Sequence, residues 1–314
     1  MRRAVITGAT GMLGLALTRL LVSEGIEVLA VARPGSGRIS NIPADERVRV
    51  VECGLENIEE LPGIIGVKCD MFFHFAWAGT FGDSRNDMEL QTCNIAYSVR
   101  AAEAASKLGC GVFLGAGSQA EYGRKEHPAS PQDPAFPENG YGMAKLCAGQ
   151  MTREVCRRNG VKHIWCRIFS VYGPFDSANT MVMSGINKLL DGVRPAYTSG
   201  EQQWDYLYCG DAARAFLLAA EKGKDGSVYC VGSGKTRPLS EYILAIRDAA
   251  SPGADIGIGE IPYSEKQVMF LCADISSLTA DTGFLPQTSF EEGVRKTVES
   301  IKNQRSAVSR PGVE

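Results

Sequence analysis

A chain of 314 residues is long enough for one large domain or two of ordinary size, and 44% hydrophobic against 22% charged residues excludes a largely disordered chain. With 33 Lys+Arg against 36 Asp+Glu, the net charge of −3 gives no composition-level pull toward nucleic acid or an anionic membrane. No apolar run approaches about 18 residues, and Met1-Arg2-Arg3 leads straight into a strand-like segment, so a cytoplasmic protein without membrane association is expected. The ten cysteines form no Cys-x-x-Cys pair and have no nearby histidine pair; buried free thiols are expected, and no metal site.

Taken in chain order, residues 3–7 form a short β-rich run, followed by glycines and a helical pattern with Leu13, Ala16, Leu17, Leu20 and Leu21 on one side. Further apolar runs follow at 27–32, 47–51, 70–75, 110–116 and 163–169, with a long helix predicted over 86–108. Continuous apolar strands separated by helices imply a parallel sheet covered on both faces. The expected fold class is therefore α/β, a doubly wound parallel sheet over residues 1–173 that also takes in 206–234. Beyond Gly173-Pro174 the elements shorten: a helix near 178–191, a strand at 204–208, a helix opening at Asp211, a strand at 227–231, and helices near 239–250 and 290–302. Ser289 and Glu292 read as a capping box for the last helix, whose apolar face is Phe290, Val294, Val298 and Ile301. Residues 174–205 and 235–302 are expected to form a smaller mixed C-terminal lobe, and 303–314 a flexible tail.

Thr7-Gly8-Ala9-Thr10-Gly11-Met12-Leu13-Gly14 lies between the first strand and the first helix, the context a dinucleotide-binding turn requires. Gly8 suits a tight turn, Gly11 a close approach to a pyrophosphate, and Gly14 close helix packing, while the helix N-terminus offers free N–H groups and a positive dipole end. Where an acid would hold a ribose 2′-hydroxyl, about 20 residues on, this chain has Arg33, with Ser36 and Arg38 in loop reach. A guanidinium there pairs with a 2′-phosphate, so NADP(H) is expected over NAD(H).

Tyr141 and Lys145 stand four apart in a helical stretch and so share one face. A neighbouring ammonium favours the phenolate, which equips such a tyrosine to exchange a proton with a carbonyl or hydroxyl while hydride moves to or from a nicotinamide. Ser118 follows the fifth apolar run, at the strand end where ligands collect in an open α/β sheet, and its side chain is placed to bond the same oxygen.

With these markers in order, the chain resembles the extended short-chain dehydrogenase/reductase family, and within it the nucleotide-sugar epimerases, dehydratases and reductases. The markers are the glycine turn, His74-Phe75-Ala76, Asn94, Ser118, Tyr141-x-x-x-Lys145, Arg167-Ile-Phe-Ser-Val-Tyr-Gly-Pro174, Trp204-Asp-Tyr-Leu-Tyr-Cys-Gly-Asp211 and Phe284-Leu-Pro-x-x-Ser-Phe-Glu-Glu-Gly293. The resemblance implies a Rossmann domain with Tyr141 as acid/base, Lys145 also on the nicotinamide ribose and Ser118 orienting the substrate oxygen. It implies cofactor contacts from Gly8, Thr10, Gly11, Met12, Leu13, Gly14, Leu55, Phe75, Ala76, Asn94, Phe169 and Val171, beside Arg33 and Arg38. Substrate contacts are implied for Ala78, Ser118, Gln119, Ser170 and Trp204, and a homodimer for the helices at 86–108 and 140–158.

Departures from the family pattern narrow the activity. Gln119-Ala120 stands where 4,6-dehydratases carry an Asp-Glu pair, Cys53-Gly54-Leu55 where an Asp-Leu pair holds adenine, Ser170 where relatives have Asn, and Trp204 where they have Arg. That arginine commonly meets the sugar nucleotide's diphosphate, so charge must come from elsewhere, with Lys188, Arg194 and Lys266 the candidates. His74 reads as a core or cofactor-flanking histidine; Trp77 and Phe81 line a pocket or pack beneath the second lobe. The expected activity is NADPH-dependent reduction of a 4-keto-6-deoxy nucleotide sugar. A nucleotide-sugar 4-epimerase with tightly held NAD(P) is the alternative, and a non-catalytic NAD(P)-binding regulatory protein a second.

Overall fold

The computed structural model describes residues 2–265 and 267–308. The chain begins β1 (Arg3–Thr7), α1 (Met12–Ser23), β2 (Glu27–Ala32), β3 (Val48–Glu52), α2 (Leu61–Ile65), β4 (Met71–His74), α3 (Met88–Lys107), β5 (Val112–Ser118), α4 (Gly140–Asn159), β6 (Lys162–Ile168) and β7 (Ser170–Tyr172). It continues with α5 (Met181–Leu190), β8 (Ala196–Tyr197), β9 (Gln203–Trp204), β10 (Tyr206–Tyr208), α6 (Cys209–Lys222), β11 (Ser227–Val231), β12 (Arg237–Pro238) and α7 (Leu239–Ala250). The last elements are β13 (Gly257–Ile258), β14 (Phe270–Leu271), α8 (Ser276–Thr282) and α9 (Phe290–Val308).

Seven strands form one parallel sheet in the order β11-β6-β5-β4-β1-β2-β3. The order reverses between β1 and β4, which opens a crevice at their C-terminal ends, the place where open α/β sheets bind ligands. Strand alternation sorts the core. Ala4 and Ile6 face a cluster with Leu17, Leu21 and Phe216, while Val5 faces one with Phe72, Ala101, Phe113 and Cys156. Helices α1 and α6 therefore cover one face and α2, α3 and α4 the other.

The long helices start where side chains cap them. Asp87 accepts the Leu90 N–H at 3.0 Å at the head of α3, and Asn139 accepts the Gly142 N–H at 2.9 Å at the head of α4, which ends at Gly160 with φ +68°. In the second lobe α5, α7 and α9 enclose Val182, Ile186, Tyr242, Ile246, Val294 and Val298, with Tyr172, Tyr206 and Phe290 in mutual ring contact. Ser289 Oγ accepts the Glu292 N–H at 3.2 Å, so half of the expected capping box forms, while the Glu292 carboxylate pairs with Lys296 at 2.7 Å. Helix α9 runs to Val308, six residues into the expected tail; 309–314 lie outside the described residues.

The strand expected at 204–208 breaks at Asp205. Its fully buried carboxylate accepts N–H groups from Ser233 (2.7 Å), Gly234 (3.1 Å) and Ala273 (3.1 Å). Trp204 thereby joins β9 beside β12 and β14, while Tyr206 begins β10 against β7. Asp211 likewise accepts the Gln287 and Thr288 N–H groups, at 3.1 and 2.8 Å. Both aspartates are the ties by which the C-terminal segments close over the sheet. Among the described residues no helix is long and apolar enough to cross a membrane, and all ten cysteines are free, eight of them buried.

Candidate active site

The glycine turn packs against the end of β4. Gly8 has φ +71°, and a Cβ there would lie 2.8 Å from the Ala76 N; a Cβ at Gly14 would lie 2.4 Å from the Gly8 carbonyl. A Cβ at Gly11 would meet protein only at 3.4 Å, so glycine there keeps the backbone open rather than relieving a clash. Helix α1 has no side-chain cap, which leaves the N–H groups of Met12, Leu13 and Gly14 free to meet an anion. Thr7 Oγ1 ties turn to strand: it accepts the Ala76 N–H at 3.3 Å and bonds His74 Nδ1 at 2.8 Å. His74 reaches Ser98 Oγ with its other nitrogen at 3.2 Å, and burial, with the Lys145 charge nearby, pushes its pKa down to about 3.

Residues beyond β4 are held from α3. Asn94 pairs with both the N–H and the carbonyl of Ala78, each at 2.9 Å, and Gln91 accepts the Trp77 Nε1–H at 2.9 Å while donating to the Gly79 and Ser84 carbonyls. Asn94 is 1% exposed, so what it shapes is the loop backbone. Phe75 packs on Phe216 at 4.9 Å, Leu55 is half-buried just past β3, and Phe81 is exposed.

Ser118 is the last residue of β5, two residues beyond the expected run, and Tyr141 and Lys145 project from the first turns of α4. Tyr141 lies near Ser118, whose side chain pulls the phenol pKa down, and Ser118 Oγ accepts the Ala120 N–H at 3.1 Å. The lysine departs from expectation. Its Nζ donates to the Ala116 carbonyl at 2.7 Å and sits 3.7 Å over the Trp77 ring, but 5.7 Å from the Tyr141 ring centre. Burial pushes Lys145 down to about 7, countered by Glu121. Burial also pushes the Tyr141 phenol up, against the downward pulls of Ser118 and of Arg85, whose guanidinium lies 4.3 Å over the ring. The charge that lowers the phenol here is Arg85 rather than Lys145.

Two residues that the motif reading did not single out, Glu121 and Trp165, complete the site with Arg167, the head of one of its markers. Glu121 is fully buried; its Oε1 accepts the Ser118 N–H at 2.8 Å and the Trp165 Nε1–H at 3.0 Å, and its Oε2 takes Arg167 Nε at 2.7 Å. The indole fits because Gly117 leaves it room: a Cβ there would lie 2.3 Å from Trp165 Nε1. The signal for Glu121 was present as Ser118-x-x-Glu121, a capping box that forms in full. Nothing local marks Arg167 as its partner, 46 residues on. Trp204 Nε1 donates to Ser170 Oγ at 2.8 Å, so the two departures from the family pattern bond to each other. Gln119, Phe169 and Arg85 line a cavity of about 250 Å³ beside these groups, while Val171 packs toward the main core.

Arg33 and Arg38 are exposed and have no side-chain partner among the described residues, so no preorganised phosphate pocket is built from them. Of the cations proposed for a diphosphate, Arg194 is held by Glu260 at 2.7 Å and by Asp255, Lys188 is exposed on α5, and Lys266 lies outside the described residues.

Known proteins extend these observations. CDP-abequose synthase of Salmonella typhimurium is 22% identical over 95% of this chain and 97% of its own. UDP-glucose 4-epimerase of Thermotoga maritima, solved with UDP-glucose, superposes with a TM-score of 0.84 at 23% identity, over 96% of this chain and 99% of that one. UDP-glucose 4-epimerase of Thermus thermophilus, solved with NAD, gives 0.83 at 23% identity over the same shares. These likenesses establish the fold. Similar proteins are predominantly 4-epimerases and 4,6-dehydratases, which overturns the expected 4-keto reductase, and the dinucleotide named in the solved structures is NAD, which overturns the expected preference for NADP(H). The solvated state of Arg33 and Arg38 is the physical counterpart of that second correction. The family model described as NAD dependent epimerase/dehydratase matches residues 4–232, most of the length. This chain belongs to the NAD dependent epimerase/dehydratase family and is an NAD(P)-dependent enzyme of the extended short-chain dehydrogenase/reductase type.

Proposed function

We propose that the protein is a nucleotide-sugar 4-epimerase that keeps NAD bound through the catalytic cycle. The observation that carries this reading is the placement of Tyr141, at the head of α4, near enough to Ser118 at the C-terminal end of β5 for that side chain to pull the phenol pKa down, beside the open glycine turn. The turn fits a dinucleotide: Gly8 and Gly14 close it tightly, Gly11 keeps its surface clear, and the uncapped head of α1 presents N–H groups to a pyrophosphate. Thr10 to Gly14, Leu55, Phe75, Ala76, Asn94, Phe169, Val171 and Lys145 would hold the group. NAD, when bound, supplies a hydride acceptor for the sugar's C4 and gives the hydride back. Ser118 Oγ holds the C4 oxygen; Tyr141 Oη takes its proton on oxidation and returns it on reduction. Arg85 over the ring places positive charge beside that phenol, while Lys145, one turn away, is held by the Ala116 carbonyl with the Trp77 ring over its amine. Between the two half-reactions the sugar must present its other face, with Ala78, Gln119, Ser170 and Trp204 as neighbours.

In this reading residues 1–173 and 206–234 carry the cofactor, which the pairing of β11 with β6 supports, and 174–205 with 235–302 carry the sugar nucleotide. Met143, Cys147 and Met151 form an exposed row at four-residue spacing on α4, which supports a homodimer through α3 and α4. Free thiols without a disulfide among the described residues fit the cytosol.

The test is to purify the protein, release and identify its dinucleotide, and assay interconversion of 4-epimeric nucleotide sugars. NAD is expected in the protein, with no net consumption of reduced cofactor. Tyr141→Phe should lower kcat by about 10²- to 10⁴-fold with NAD content unchanged. Stoichiometric loss of added NADH or NADPH with substrate would overturn the proposal.

A further inference from the structure

Resting on the nucleotide-sugar reading, we infer that the cavity beside Tyr141 is a diphosphate site, with Arg85 and Lys125 supplying the positive charge that Trp204 leaves out. Every nucleotide sugar carries two phosphates, and a protein that binds one must meet that charge with donors. The usual place does not do so here: the Trp204 indole is neutral and its one N–H is spent on Ser170 Oγ at 2.8 Å. Arg194 is neutralised by two carboxylates.

The cavity offers what those positions lack. Arg85, Arg124 and Lys125 line it against a single carboxylate, Glu138, so its wall is net positive. Glu138 is already bonded to Arg124 at 3.1 Å. Arg85 and Lys125 have no carboxylate partner among the described residues; their recorded bonds go to the carbonyls of Thr80 (3.2 Å) and Pro134 (3.1 Å), which leave the charges uncompensated. Phe169, Phe270 and Leu271 add apolar surface to the lining, which strengthens charge pairing near it. Position links the cavity to the chemistry. Arg85 lines the cavity and lies over the Tyr141 ring at 4.3 Å, and Gln119 of its wall follows Ser118 in the chain, so the cavity adjoins the reacting pair through these two residues. A volume of about 250 Å³ suits one end of a sugar nucleotide rather than the whole.

A carboxylate on the sugar is the other anion such a wall could meet, and the probes separate the two. Full-length protein saturated with NAD, so that the glycine turn is filled, is titrated calorimetrically with inorganic pyrophosphate and, separately, with glucuronate. Wild type, Arg85→Gln, Arg85→Lys and Lys125→Gln are compared after thermal melts confirm that each folds. Pyrophosphate binding should weaken about tenfold or more in Arg85→Gln and several-fold in Lys125→Gln, recover partly in Arg85→Lys, and fall as salt rises. Lys125 has no hydrogen bond or ring contact with Tyr141 among the described residues, so Lys125→Gln should act mainly by raising KM for the sugar nucleotide, with a smaller effect on kcat. Pyrophosphate affinity unchanged in both glutamine variants overturns the site. Glucuronate binding that is lost in Arg85→Gln while pyrophosphate binding is not reassigns the cavity to a sugar carboxylate and overturns the diphosphate assignment. A protein that binds pyrophosphate through these two residues yet interconverts no 4-epimers keeps this site and loses the proposed function.

Discussion

Replacing Arg167 by Met strands a carboxylate. Glu121 is 0% exposed and Arg167 5% exposed, and their 2.7 Å contact is the one ion pair beneath Ser118 among the described residues. Breaking a buried pair by removing one partner costs about 3–5 kcal/mol, because the remaining charge is left without water or counter-charge. At about 2.1 cal/mol/K of unfolding entropy per residue over 314 residues, that is a fall in Tm of about 5–8 °C. The double variant Glu121→Gln/Arg167→Met should recover most of the loss. A neutral Gln oxygen can still accept the Ser118 and Trp165 N–H groups, and its amide has no guanidinium to face. Differential scanning calorimetry on the four proteins of the cycle gives the coupling. The reasoning is refuted if Arg167→Met melts within about 2 °C of wild type, or if the double variant is no more stable than the single one.

Other substitutions test separate parts of the structure. The His74 pKa is pushed down to about 3 in the fold, below its ordinary value near 6.5, so the unfolded chain binds the extra proton first. Its contribution is complete above about pH 6.5 and is lost as pH falls toward 3; urea midpoints of His74→Asn should fall less steeply with acid than those of wild type, and parallel curves would contradict this. Asp205→Ala leaves three backbone N–H groups without an acceptor and should cost about 3–5 kcal/mol by urea denaturation, with Asp205→Asn milder because one oxygen remains to accept. Ser170→Ala orphans the Trp204 Nε1–H, for a loss of about 1–3 kcal/mol that the double variant Ser170→Ala/Trp204→Phe largely restores.

Much of the site was legible in advance. The glycine turn, Tyr141 and Lys145 fall where strand and helix periodicity put them, and Ser118 ends a strand that runs two residues past its apolar run. What the spacing of Tyr141 and Lys145 could not show is where the amine goes. Same-face placement permits the phenol as a partner, yet Ala116 and Trp77 hold the amine more closely. Arg33 and Arg38 show the converse error: a charge in the right loop is no binding site until something fixes its geometry.

The amino-acid sequence by itself determined the local features: the alternation of strands and helices, the Ser289 cap, and the turn that needs Gly8 at φ +71°. Each depends on residues within a few positions of one another, where backbone geometry restricts the choices. Tertiary structure alone decided which distant groups share a buried space: Glu121 with Arg167, Trp204 with Ser170, Asp205 with the loops after β11 and β14, and Arg85 over Tyr141. Those contacts join segments tens of residues apart, and their strength comes from burial, which no local pattern encodes.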